Sequence, residues 1–158
     1  MKKFLCVIPL VVLLCFTFAC QNKSQSAGLE NKTIEKDIEA SADTLASAIS
    51  RLDAEAVTNL FSKIPGTKYI SDGAFIPQEE LGETFKKFYG GLQEMNFVFE
   101  KKEVHVLNQG MAVLTGWAKY TAVSKDGQKS DEKAIFTVVY VHEDGKWNIF
   151  QAHKSFTE

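Results

Sequence analysis

The chain has 158 residues, of which 45% are hydrophobic and 11% aromatic, enough for one globular domain plus an address segment. Its 18 basic and 20 acidic residues leave a formal charge of −2 and form no basic stripe, which argues against nucleic acid as a partner. The cysteines, Cys6, Cys15 and Cys20, all fall at the N-terminal end, so the rest of the chain has none for a disulfide, thiol catalysis or a cysteine-held metal.

Met1-Lys2-Lys3 is a short basic region, and Phe4 to Phe18 is almost wholly apolar. At roughly 15 residues that run falls short of the ~20 a spanning helix needs, so a secretory signal is expected. Thr17-Phe18-Ala19-Cys20 closes it and resembles the lipobox of bacterial lipoproteins, in which the cysteine is lipidated and becomes the mature N-terminus. The resemblance implies residues 1–19 as a lipoprotein signal peptide. It also implies a protein of the cell envelope, anchored to a bacterial membrane through lipidated Cys20. Plain secretion with cleavage near Ala19, or an uncleaved anchor, would read similarly. Removing residues 1–19 takes Lys2 and Lys3 and leaves 16 basic against 20 acidic residues, a formal charge of about −4. Residues 20–32 are small and polar and read as a flexible tether, followed by a domain over 33–158.

Thr33 to Leu52 has helical spacing: Ile34, Ile38, Ala42, Leu45, Ile49 and Leu52 recur at threes and fours. Glu35, Lys36, Glu39 and Ser47 occupy the other side, as on a surface helix with one buried stripe. Asp53 suits the N-cap of a second helix, with Val57, Leu60, Phe61 and Ile64 on its buried side and Pro65-Gly66 as its stop. Lys68 to Gly73 reads as a short strand and turn, and Ala74-Phe75-Ile76 as its partner. Pro77 suits the first position of a third helix, with Glu79 and Glu80 in its first turn. Leu81, Phe85, Phe88 and Leu92 form its expected stripe, and Gly90-Gly91 its end.

From Phe97 to Phe156 the chain reads as four long antiparallel strands. Asn108-Gln109-Gly110 joins the first two, with a two- or three-residue loop, and the choice decides where Trp117 points. Ser124 to Ser130 is a polar loop around Asp126-Gly127. In His142-Glu143-Asp144-Gly145-Lys146-Trp147, Asp-Gly lies between two apolar runs, a strong hairpin signal. If Glu143 pairs with Lys146, strict alternation sets Tyr140 opposite Ile149, Val138 opposite Gln151 and Phe136 opposite His153, all on one face. Thr137, Val139 and Val141 then share the other face with Phe150, Ala152 and Phe156. Two largely apolar faces suggest helices on one side and a partner subunit on the other, or an ordinary two-sided core.

Helices followed by strands imply an α+β fold, a curved mainly antiparallel sheet wrapped around three N-terminal helices. A ligand cavity between the two layers is the default site. The order of elements resembles the nuclear transport factor 2-like superfamily, which includes SnoaL-like polyketide cyclases and ketosteroid isomerases. The resemblance rests on Asp53-Ala54-Glu55-Ala56-Val57, on Tyr69-Ile70-Ser71-Asp72-Gly73 and on Asp144 to His153, and spans about residues 33–157. In ketosteroid isomerases a carboxylate near the position of Asp72 moves the proton, and a Tyr and a protonated Asp hold the enolate oxygen. Here Thr33 to Leu52 contains no Tyr and Ala134 to His142 no acid, so those donors are missing and an isomerase of that kind is not expected.

The candidate ligand-binding residues are Tyr69, Asp72, Phe136, Tyr140, Gln151 and His153. Asp72 is either a general base or turn chemistry, and His153 either a proton carrier or a satisfied core histidine. His105, His142 and His153 lack ligand spacing, and there is no phosphate loop or nucleophile elbow, so no metal or cofactor is expected. The leading expectation is a lipid-anchored homodimer that binds a small apolar ligand. Next comes an interaction module whose cavity is filled by its own side chains. Last comes an isomerase, cyclase or dehydratase using Asp72 and His153.

Overall fold

The structure, a computed structural model, describes residues 30–157. The expected signal peptide, Cys20 and most of the tether lie outside the described residues. The chain divides into two units, Met1–Ile34 and Glu35–Glu158. Of the first, the described part is residues 30–34, which are helical; the account below concerns the second. Among the described residues no helix is long and apolar enough to cross a membrane.

Within this unit helix α1 is described over 35–50. It buries Ile38, Ala42, Leu45, Ala48 and Ile49, the expected stripe. Leu52, at φ 56, ends it. The Leu52 N–H donates to the Ile49 carbonyl and the Asp53 N–H to the Ala48 carbonyl, the paired closure of a Schellman turn. Asp53 then caps α2 (Ala54–Asn59), its side chain accepting from the Ala56 N–H at 2.9 Å. This helix is shorter than the sequence suggests. After Leu60 the chain runs beside a strand, the Ser62 N–H donating to Ile149 and the Ile149 N–H to Leu60, both at 2.8 Å. Phe61 stays buried, and Ile64 is left exposed.

Strands β1 (Lys68–Ser71) and β2 (Ala74–Pro77) form a tight hairpin. Its turn residues Asp72 and Gly73 have φ 52 and 83, the two positive values of a type I′ turn. Pro77 closes β2 instead of opening a helix, and a single 3₁₀ turn, Gln78–Glu80, leads into α3 (Leu81–Gly90). The buried stripe of α3 is Leu81, Phe85 and Tyr89, while Phe88 is exposed and Leu92 already belongs to the next strand.

Strands β3 (Leu92–Asn108), β4 (Met111–Ser124), β5 (Lys129–Glu143) and β6 (Lys146–Phe156) form the expected meander. β1 joins β6 in parallel, giving one six-stranded sheet in the order β2-β1-β6-β5-β4-β3. Three register shifts, passing Gln93, Glu100 and Leu107 of β3, each leave one residue extra, and such bulges bend and twist a strand. β3 thereby turns Met95, Phe97 and Lys102 toward the helices. Lys102 Nζ reaches Asp43 on α1 at 2.5 Å, and Ser50 bonds both the N–H and the carbonyl of Phe97 on this edge strand.

The β3–β4 hairpin pairs Asn108 with Met111, so its loop has two residues. Trp117 faces away from the helices, opposite Ile135, with Lys101 Nζ 4.5 Å from its ring. The last hairpin has the expected Glu143–Lys146 and Tyr140–Ile149 pairs. Between Val139 and Tyr140 the register then shifts, and Phe150 on β6 is the extra residue. Beyond it Val139 pairs with Gln151, Val138 with Ala152, Thr137 with His153 and Phe136 with Lys154. The expected Val138–Gln151 and Phe136–His153 pairs are therefore incorrect. Gln151 and His153 share the outer face with Thr137 and Val139, and Ala152 and Lys154 take the inner one.

Candidate functional site

A cavity of about 280 Å³ lies between the inner face of the sheet and the helices. Each α-helix and strand of the second unit contributes to its wall, from Leu45 and Ile49 of α1 to Ala152 and Lys154 of β6. Its size is near the lower end for small-molecule sites, and its lining is mainly aliphatic and aromatic, as such sites are.

The aromatic wall has two parts. Phe85, at the centre of α3, lies 5.7 Å from the Tyr69 ring, 6.1 Å from Phe61 and 6.0 Å from Tyr89. Facing it, Phe97 stacks on Tyr120 at 6.2 Å and meets Phe136 edge-on at 5.5 Å, the two geometries that ring quadrupoles favour. Gly116 makes room behind this group: a Cβ there would stand 2.5 Å from the Phe99 ring, which packs against both Phe97 and Phe136.

Tyr69, Tyr89 and Tyr120 bring phenol groups to the lining. Burial pushes Tyr69 up to about 12; the Ser71 hydroxyl pulls it back slightly and the Asp72 charge pushes it further up. Burial likewise raises Tyr89 and Tyr120, each with a further push from Tyr69. All three are neutral hydroxyls at ordinary pH. Among the described residues Lys154 is the one charged side chain on the lining. Its Nζ lies 3.2 Å from Asp72 Oδ2 and 3.9 Å from the centre of the Phe156 ring.

Of the sequence candidates, Tyr69 and Phe136 line the cavity. Asp72 sits just outside the lining, at the hairpin turn, accepting a 2.6 Å bond from Ser71. Desolvation works to raise its pKa, but Ser71, Lys154 and His153 outweigh it and hold the carboxyl below its usual value. Tyr140 is fully buried in the core and is not part of the cavity wall. Gln151 and His153 are on the opposite side of the sheet, and His153 is exposed with Ser155 as neighbour at 3.5 Å. His105 and His142 are exposed as well. Among the described residues no group of His, Cys, Asp and Glu is placed to hold a metal ion.

The sequence reading missed Tyr89, Tyr120 and Lys154. The first two had a signal: Tyr89 follows Leu81 and Phe85 at steps of four, and Tyr120 alternates with Ala118 and Ala122. Lys154 had none, because only the Phe150 bulge turns it inward.

The model of a SnoaL-like domain family matches residues 38–158. The chain belongs to the SnoaL-like domain family. Solved structures of the nuclear transport factor 2-like superfamily share its fold. One, from Salmonella enterica serovar Typhimurium, is 19% identical with a TM-score of 0.75, over 81% of this chain and 94% of that one. A Xanthomonas campestris protein named for the association domain of calcium/calmodulin-dependent protein kinase II is 27% identical with a TM-score of 0.66, over 76% and 85% of the two chains. A Novosphingobium aromaticivorans protein named after scytalone dehydratase is 10% identical with a TM-score of 0.75, over 82% and 87%. Comparison with curated proteins finds no match.

Proposed function

We propose that this SnoaL-like domain is a binding module that holds a small, largely apolar ligand between sheet and helices. In this reading Cys20 is lipidated and anchors the protein to a bacterial membrane within the cell envelope. The observation that carries the binding reading is the make-up of the cavity wall, which among the described residues presents aromatic rings, neutral hydroxyls and one ammonium, with no carboxylate, imidazole or thiol. Proton-transfer chemistry needs a titratable base within hydrogen-bond reach of substrate. Asp72 is engaged by Lys154 and Ser71 outside the lining, and His153 faces away, so the pair suggested for an isomerase, cyclase or dehydratase does not converge on the cavity.

Native mass spectrometry of the purified protein tests this. The expected result is a one-to-one adduct of a small molecule, or, from an emptied sample, one-to-one uptake of the neutral aromatic naphthamide. Thr84→Trp, which fills the cavity from α3, should abolish both without lowering the melting temperature. Failure to hold or take up any such molecule would refute the binding reading.

Pairing of two copies through the outer sheet face is part of the same proposal. That face carries half-buried Val113, Trp117, Ile135 and Val139 beside exposed Val98. The Xanthomonas relative, named for an association domain, supports the same reading.

A further inference from the structure

We infer that the ligand carries a single anionic head group of the carboxylate class, set against Lys154 where β1 and β6 run side by side. This deepens the binding reading above and depends on it. The wall is unbalanced in charge: among the described residues Lys154 is the lone charge among apolar side chains and hydroxyls. Its side chain is only 15% exposed, and an ammonium so far removed from water must be matched by acceptors or an opposite charge.

In the structure its partners are the Asp72 carboxylate and the face of the Phe156 ring. An ammonium has three donors, and Asp72 is itself 41% exposed at a turn, outside the cavity wall. Asp72 thus serves as a resident counter-ion that a ligand carboxylate can replace or share. On the cavity side, the neighbours of Lys154 on β1 are Ser71, paired with it across the strands, and Tyr69. Tyr69, Tyr89 and Tyr120 all line the same cavity. Each is a donor to an anionic oxygen.

One cation already shared with Asp72 suits a monoanion and is too little for a phosphate dianion, which draws on several cationic donors. The body of the ligand follows from the rest of the wall, an aromatic or short aliphatic group small enough for about 280 Å³.

The test is calorimetric titration of the full chain with two probes of one shape, the naphthoate anion and its neutral amide, naphthamide. Naphthoate should bind about tenfold more tightly, the scale of one charge-assisted hydrogen bond. Lys154→Met should remove that preference, so that the two probes bind within about twofold of each other. Asp72→Asn, in which Asn tolerates the positive φ of the turn, should tighten naphthoate severalfold by freeing the ammonium and so widen the naphthoate-over-naphthamide ratio. Equal binding of the two probes to the unmodified protein would overturn the inference and leave the binding reading standing. So would a preference that survives Lys154→Met. If Lys154→Met does not fold, the Asp72→Asn variant decides, and no gain for naphthoate there overturns the inference. Binding of neither probe would remove the binding reading, and the inference with it.

Discussion

Replacing Tyr140 by Phe tests the energetics of the core most directly. Tyr140 sits in the middle of β5 between Ala112 of β4 and Ile149 of β6, with no exposed surface. Its hydroxyl is buried without a hydrogen-bond partner; Ser41 on α1 influences it without closing a bond of normal geometry. A buried hydroxyl left unsatisfied costs about 1–3 kcal/mol. The substitution removes one oxygen and keeps the ring, so the variant should be more stable at neutral pH by about 1 kcal/mol, or roughly 4 °C in Tm for a domain of this size. Alkaline behaviour gives a second readout. Burial pushes the Tyr140 pKa from 10.0 to about 12. Between those values the folded chain keeps a proton that the unfolded chain has released, so stability falls as pH rises. The contribution is intact below pH 10 and is lost on the way to about pH 12. Two units correspond to about 2.7 kcal/mol. Urea unfolding followed by the fluorescence of Trp117 and Trp147, at neutral pH and in steps through the alkaline range, measures both effects. The variant should start higher and decline less steeply, with the remaining decline coming from Tyr69, Tyr89 and Tyr120. A variant that is less stable by about 1 kcal/mol or more at neutral pH would mean the hydroxyl has a working partner, and the unsatisfied-group argument would fail. Parallel pH curves would show that Tyr140 does not ionise on unfolding in the way its burial requires.

Gly116→Ala should destabilise the protein by about 2 kcal/mol in the same urea assay, because the new methyl group forces the Phe99 ring off its contacts with Phe97 and Phe136; no loss would show that the ring has free space to move into. If two copies pair as proposed, Trp117→Glu, on the outer sheet face, should give monomers in analytical ultracentrifugation, and a monomeric unmodified protein at micromolar concentration would end the pairing proposal. Cys20→Ser should move the protein from the membrane fraction to the soluble fraction of its host, and an unchanged distribution would refute anchoring through that residue.

The fold was legible because its signals are local and repeated. Ile38, Ala42, Leu45 and Ile49 recur at helical spacing, and all are buried on the sheet. Asp53 announces α2 and caps it. Asp144-Gly145 sits where both turn residues take positive φ, as does Asp72-Gly73. Errors at helix ends have tertiary causes. Leu60 to Ser62 continue the helical pattern of α2 but find better partners in the backbone of Ile149. Phe88 and Tyr89 are adjacent on α3; the steps of four from Leu81 and Phe85 favour Tyr89, and packing against Phe85 buries it while Phe88 stays exposed. The chain places Trp117 by a loop length that Asn108-Gln109-Gly110 alone does not decide, since either register satisfies the local pattern.

The site was half legible, and the division falls at one residue. N-terminal to Phe150, strict alternation from the hairpin holds, and Tyr140 and Ile149 pair as expected. C-terminal to it every side chain is on the other face. Two features bear on why β6 takes a bulge there. The outer backbone groups of Ile149 bond Leu60 and Ser62, while two residues later β6 begins its parallel pairing with β1 at Gln151 and Lys68. The extra residue lies between those two partners, and its ring packs beside Gly66, in the loop that joins them. None of this can be read from the Asp-Gly hairpin, because it depends on segments some 80 residues upstream. The chemical consequence is larger than the geometric one. Without the bulge, Gln151 and His153 would face the cavity, and the wall would hold a group able to carry protons near neutral pH. With it, Ala152 and Lys154 face inward, and the wall carries the Lys154 ammonium instead. A single unpaired residue in one strand therefore separates a wall that would carry an imidazole from one that carries an ammonium.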